Sequence, residues 1–152
     1  MSVRTLFLVV FRPQSAAPPH WGLFIPDQPL IIQQFNHATP GKLIHIDGIP
    51  GVGFRPCASR GYVPARGRTA MHPFFIGQLA GQHVINGVPG SKGITAIDII
   101  EDLAFKLPAM GSDPVMCQNW AQSVVQMLIS KSILRPSPQI QMVFESARRG
   151  PF

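Results

Sequence analysis

The chain has 152 residues, a formal net charge of +6, a hydrophobic fraction of 45% and a charged fraction of only 13%. That length fits one domain, residues 1–152, with apolar residues enough for a sizeable core. Sixteen prolines and fourteen glycines argue against a helical bundle and for an α+β domain with many turns. Two cysteines, Cys57 and Cys117, exclude a disulfide framework and form no CxxC pair.

The first predicted element is a strand over residues 3–12, a continuous apolar run closed by Pro13. Its faint likeness to a secretory signal is outweighed by β-branched and aromatic content and by the Arg12-Pro13 interruption. A loop spans Gln14 to Pro19. A second strand covers 20–26, closed by Pro26, and a loop or hairpin connection follows over 27–41, where Ile31 and Ile32 could add a short strand. A third strand, 42–47, stops at the turn signal Asp47-Gly48.

Residues 52–70 mix glycine, proline and arginine and read as a long surface segment with a short strand around Gly61-Tyr62-Val63. A strand at Phe74–Leu79 and a turn-rich connection from Gln82 to Gly90 come next. Thr95 with Asp98 has the spacing of a capping box, opening a helix that carries Ile99, Ile100, Leu103 and Leu107 and ends at Pro108. Asp113 as N-cap and Pro114 at the first helical position open another helix, with its limit at Arg135-Pro136. Cys117, Trp120, Val124 and Leu128 line one face of it. Residues 139–144 alternate apolar and polar and suggest a last strand, with a short helix as the alternative.

The basic residues Arg12, Arg55, Arg60, Arg66 and Arg68 fall in or near turn-rich stretches, and Arg148 and Arg149 form a basic tail. They read as a solvated surface. No basic stripe interleaves with aromatics, so nucleic acid is not expected as a partner, while an anionic or membrane surface is a weak alternative. Gly48 to Gly53 lacks the Gly-Lys-Ser/Thr ending of a phosphate loop. His37, His72, His83 and Cys57 lack the short spacings of a zinc site, and no metal is expected.

Cys117 carries the chemical signal. It sits in the first turn of a predicted helix, where unpaired N–H groups and the positive end of the dipole favour thiolate. His20 opens one strand and His45 lies in another. An imidazole within reach of the thiol would complete a cysteine nucleophile and its base. Asp47, on the same strand face as His45, could substitute as the third member. Taken alone, each of these residues is as compatible with simple core or surface packing.

The strand motif His20-Trp21-Gly22-Leu23-Phe24, the strand motif Leu43-Ile44-His45-Ile46 and the helix start Cys117-Gln118-Asn119-Trp120 resemble, in that order, the circularly permuted papain-like superfamily. That group includes lecithin–retinol acyltransferase-like enzymes and relatives of the NlpC-type peptidases. The pattern is also similar to uncharacterised fungal proteins with an HW…LIH…NCQDW arrangement. The resemblance implies a small antiparallel sheet packed against two or three helices, with Cys117 as nucleophile, His20 as general base and His45 as polar partner. Trp21, Gln118 and Trp120 are the expected substrate-binding residues. Met116 departs from the family by standing where an Asn usually precedes the Cys, and Asn119 stands where an acid is common.

The expected function is therefore a thiol hydrolase or acyltransferase acting on an amide, ester or thioester, cytoplasmic and without a cofactor. Its expected partner is a small-molecule or acyl substrate, and the oligomeric state is left open. The alternative is a catalytically degenerate binding or scaffold protein on the same fold, which Met116 favours.

Overall fold

A computed structural model describes residues 2–13, 18–29, 34–49, 53–108 and 116–152. The strands are β1 (Val3–Phe11), β2 (His20–Pro26), β3 (Gly41–Ile49), β4 (Gly53–Tyr62), β5 (Met71–Ala80) and β6 (Lys92–Gly93), and the helices are α1 (Ile99–Lys106), α2 (Met116–Ser130) and α3 (Pro138–Arg149). The strands form one six-stranded sheet in the order β5-β1-β2-β3-β4-β6, with antiparallel neighbours throughout. The fold is α+β.

Strand alternation divides the sheet into two apolar faces. Leu6, Leu8, Trp21, Leu23, Ile44 and Ala58 pack against Ile100 of α1, Val124 and Leu128 of α2, and Ile140 and Phe144 of α3. On the other face Phe7, Val9, Phe24, Leu43 and Met71 form a second cluster, flanked by Phe35 and Tyr62. Both sides of β1 and β2 are thus covered, which is why these strands read as continuous apolar runs rather than as alternation.

A buried ionic network ties α1 to the sheet. Lys42 of β3 pairs with Asp98 and, at 2.7 Å, with Glu101, while Arg60 of β4 reaches Glu101 at 2.5 Å. Arg60 is therefore buried rather than solvated, unlike the exposed Arg12, Arg55, Arg66 and Arg68. The N-cap of α1 is Asp98, whose side chain accepts from the Glu101 N–H, so the expected Thr95 cap is displaced by one turn.

Three other expectations are corrected. The stretch 52–70 is not mainly a surface segment, because Gly53–Tyr62 is a ten-residue strand. Its Pro56 pairs with Ile46, and β6 joins the outer side only at Ala58 and Ser59, so the missing N–H falls on an edge where it costs no ladder bond. Residues 139–144 belong to α3, opened by the Ser137 cap and Pro138 and closed by Gly150 at φ 87°. Ile140, Phe144 and Ala147 are its buried face. Finally, α2 ends at Ser130, five residues before the expected limit. Ser132 takes φ 59°, and the N–H groups of Ile133 and Leu134 both close on the Leu128 carbonyl. The proposed Ile31-Ile32 strand and the Asp113-Pro114 helix start lie outside the described residues. Among the described residues, no helix is long and apolar enough to cross a membrane.

Candidate active site

His20 is the first residue of β2, and His45 is central in β3. The register sets Gly22, not His20, opposite His45. A Cβ at Gly22 would lie 3.3 Å from the His45 Cβ and 3.0 Å from Leu43 Cδ1, so glycine keeps the space beside the His45 ring open. His20 reaches across that space. Its Nε2 lies 3.3 Å from His45 Nδ1, with the ring planes at 76°. Phe11, directly opposite His20 on β1, packs against the other side of its ring.

Both imidazoles are held neutral. Burial lowers the His20 pKa below its ordinary 6.5, with Asp47 opposing. His45 is brought down to about 4, first by burial and then by the neighbouring His20, with Asp47 again opposing. This has a measurable consequence. The unfolded chain takes up a proton at His45 below pH 6.5 and the folded chain does so only near pH 4, so stability falls as pH drops across that window. In chelator-treated protein the loss is expected to approach about 3 kcal/mol. Urea unfolding of His45→Gln should show a shallower pH dependence than wild type between those limits.

Cys117 is the second residue of α2 and is 8% exposed. Its Sγ–H donates toward the Pro19 carbonyl at 3.9 Å, and the same oxygen accepts from Gln118 Nε2 at 3.1 Å. The backbone N–H groups of Trp21, Gln118 and Cys117 itself face the sulfur and favour thiolate, but burial is the larger influence and raises the thiol pKa above its ordinary 9.0. Burial thus favours the thiol form at Cys117 and neutral imidazoles at His20 and His45.

The helix start thus docks on the backbone on either side of His20. Alternation sends the Trp21 side chain toward the helices and the His20 ring toward the opposite face. There a cavity of about 580 Å³ is lined by His20, His45, Asp47, Leu43, Tyr62 and Lys92, among others. Cys117 is not among the lining residues. Trp21 and Trp120 are core residues, the first stacked on Phe144 and the second donating its Nε1–H to the Ala104 carbonyl. Gln118 is 5% exposed and occupied by Pro19. None of these three lines the cavity.

One neighbour escaped the sequence reading. Cys57 of β4 lies directly opposite His45, and a His45 nitrogen, an Asp47 oxygen and the Cys57 sulfur are all within 4.8 Å of one another. Grouping Cys57 with His37, His72 and His83 looked to the wrong histidines. His37 instead packs edge-to-face with Phe35, and His72 with Phe74. The signal that could have found the cluster is the His45-x-Asp47 spacing on one strand face, together with recognition that 53–62 is the adjoining strand.

A protein-family model described as a family of unknown function, DUF6540, matches residues 6–135. The chain belongs to this family. The matched region contains His20, His45, Asp47, Cys57 and Cys117 and stops before α3. No curated protein and no solved structure matches the chain.

Proposed function

We propose that this chain is a cysteine-dependent hydrolase or acyltransferase of permuted papain-like architecture. One observation carries the reading: the Cys117 sulfur meets the backbone immediately before and after His20, and His20 in turn meets His45. Three residues separated by up to 97 positions (from His20 to Cys117) converge on the start of β2.

In this reading the His20 ring, which rests toward the cavity, turns about its Cα–Cβ bond to meet Cys117 Sγ, and the sulfur attacks the carbonyl carbon of an amide, ester or thioester as His20 accepts the thiol proton. The tetrahedral intermediate collapses by breaking the bond to the leaving group, and His20 returns the proton to that group. The thioester left on Cys117 passes its acyl group to water, an amine or an alcohol, with His20 again serving as base. His45 holds the resting His20 ring through the contact between their nitrogens. The N–H groups of Trp21, Gln118 and Cys117 are the nearest donors for the oxyanion. The low charged fraction and the many apolar residues of the chain favour an apolar or small-metabolite substrate over a charged polymer. Both cysteines are free, in keeping with a reducing, cytoplasmic setting.

Incubation with activated esters and thioesters of increasing chain length tests the reading. Intact-mass analysis is expected to show one acyl adduct, mapped to Cys117, that is absent in Cys117→Ala and retained in Cys57→Ala. Absence of any Cys117 adduct across the series favours the second reading, a binding protein on the same fold. The burial of the thiol and Met116 in the position before it support that alternative.

A further inference from the structure

We propose that His45, Asp47 and Cys57 form a binding site for a divalent cation of the zinc class, independent of any role for Cys117. The site is made by the β3–β4 pairing. His45 and Asp47 are two residues apart and share a strand face, and Cys57 is the cross-strand partner of His45. Their ligand atoms lie within 4.8 Å of one another. A tetrahedral zinc site brings such atoms to about 3.5 Å apart, given metal–ligand bonds of about 2.0–2.3 Å. Small side-chain rotations about an ion would close that difference.

The donor set selects the ion. One thiolate, one imidazole and one carboxylate suit zinc or cobalt, whereas magnesium and calcium prefer oxygen alone. The His45 ring is prepared for the role. Its Nδ1 is held by His20, and its Nε2 is buried without a hydrogen-bond partner among the described residues. A ring nitrogen fixed by a neighbour with the other left for a metal is the usual arrangement of a histidine ligand. The pairing of Asp47 with Lys92 places a cation at the same spot already, and both side chains are about half exposed, so an ion can displace the ammonium. His45 and Asp47 also line the cavity, which leaves a fourth position for water or a substrate oxygen. Binding forms a bond from Cys57 Sγ to the metal and releases the thiol proton to solvent.

The test uses the full-length chain, stripped with chelator and titrated with Co²⁺ or Zn²⁺. One Co²⁺ per chain is expected, with near-ultraviolet thiolate-to-metal absorption that Cys57→Ser abolishes and Cys117→Ser leaves intact. Competition against a chromophoric chelator should show zinc affinity weakened at least tenfold by His45→Gln, Asp47→Asn or Cys57→Ser. It should be strengthened severalfold by Lys92→Met, which removes the competing ammonium from Asp47 at an exposed position without disturbing the core. No thiolate absorption in the wild type would overturn the proposal. So would absorption that survives Cys57→Ser, absorption lost in Cys117→Ser, or weaker binding in Lys92→Met. Because Cys117→Ser is predicted to be silent here and decisive for acyl transfer, the failure of either idea is distinguishable from the failure of the other.

Discussion

Glu101→Ala is expected to destabilise the protein by about 3–5 kcal/mol, the range for breaking a buried ion pair from one side. Glu101 is fully buried and accepts from Lys42 and Arg60 at 2.7 and 2.5 Å. Its removal leaves the Arg60 guanidinium under α1 with, among the described residues, the Thr95 carbonyl as its remaining acceptor. Lys42 suffers less, since it keeps Asp98 and the Ile85 carbonyl. Glu101 also accepts from the Ile97 N–H ahead of α1, so the approach to that helix loosens as well. The contrasting variant is Lys106→Ala. It breaks only the exposed pair with Asp102 and should change stability by less than about 1 kcal/mol. Urea unfolding of the two proteins checks both, and comparable small losses would show that the network contributes little.

His20→Ala is expected to reduce the rate of Cys117 acylation by about 10²–10⁴, the usual contribution of a positioned general base. The loss should fall on kcat rather than KM, because the imidazole acts on the thiol proton rather than on substrate binding. His45→Ala removes only the contact that orients His20 and should cost less. The pH dependence follows from the direction of the shifts. His20 must be neutral to accept a proton, and burial holds its pKa below 6.5, so wild-type acylation should persist below that pH and fall as the medium acidifies through the lowered value. Burial also raises the thiol, so a second rise above pH 9 is expected as Cys117 ionises by itself. His20→Ala should keep the alkaline rise and lose the plateau at neutral pH. Steady-state kinetics with an activated thioester would show both limbs.

The central strands were legible because burial on both faces leaves no ambiguity of period. Leu6 to Val10 and Trp21 to Ile25 are each buried at every position, and Pro13 and Pro26 mark where the runs stop. β4 was illegible for the opposite reason. Most of its residues are small, polar or charged, and its proline is tolerated only because the outer side is an edge, which is a property of the assembled sheet. α3 was obscured by Met142, which is 64% exposed and so imitates the apolar phase of a strand. The helical reading needed more weight on Ser137-Pro138 and Gly150.

For the candidate site, the sequence marked Cys117, His20 and His45 individually. It did not reveal that the thiol would rest against the Pro19 carbonyl beside His20, since that contact depends on how α2 seats on the end of β2. Nor did it reveal Cys57 beside His45, which follows only from the β3–β4 register. Local chemistry was readable from residue type and position. Pairings across strands were not, because a one-residue shift in register would have turned Cys57 to the other face.

The most direct test of a His20-activated sulfur is the relative alkylation rate of the two cysteines at neutral pH, followed residue by residue by mass spectrometry in wild type and His20→Ala. In chelator-stripped protein Cys57 serves as an internal reference, since it too is buried and has its thiol pKa raised chiefly by desolvation. Cys117 is expected to react at least tenfold faster than Cys57 in the wild type and to lose that advantage in His20→Ala. Equal, slow labelling of both sulfurs, unchanged by the substitution, would contradict the account.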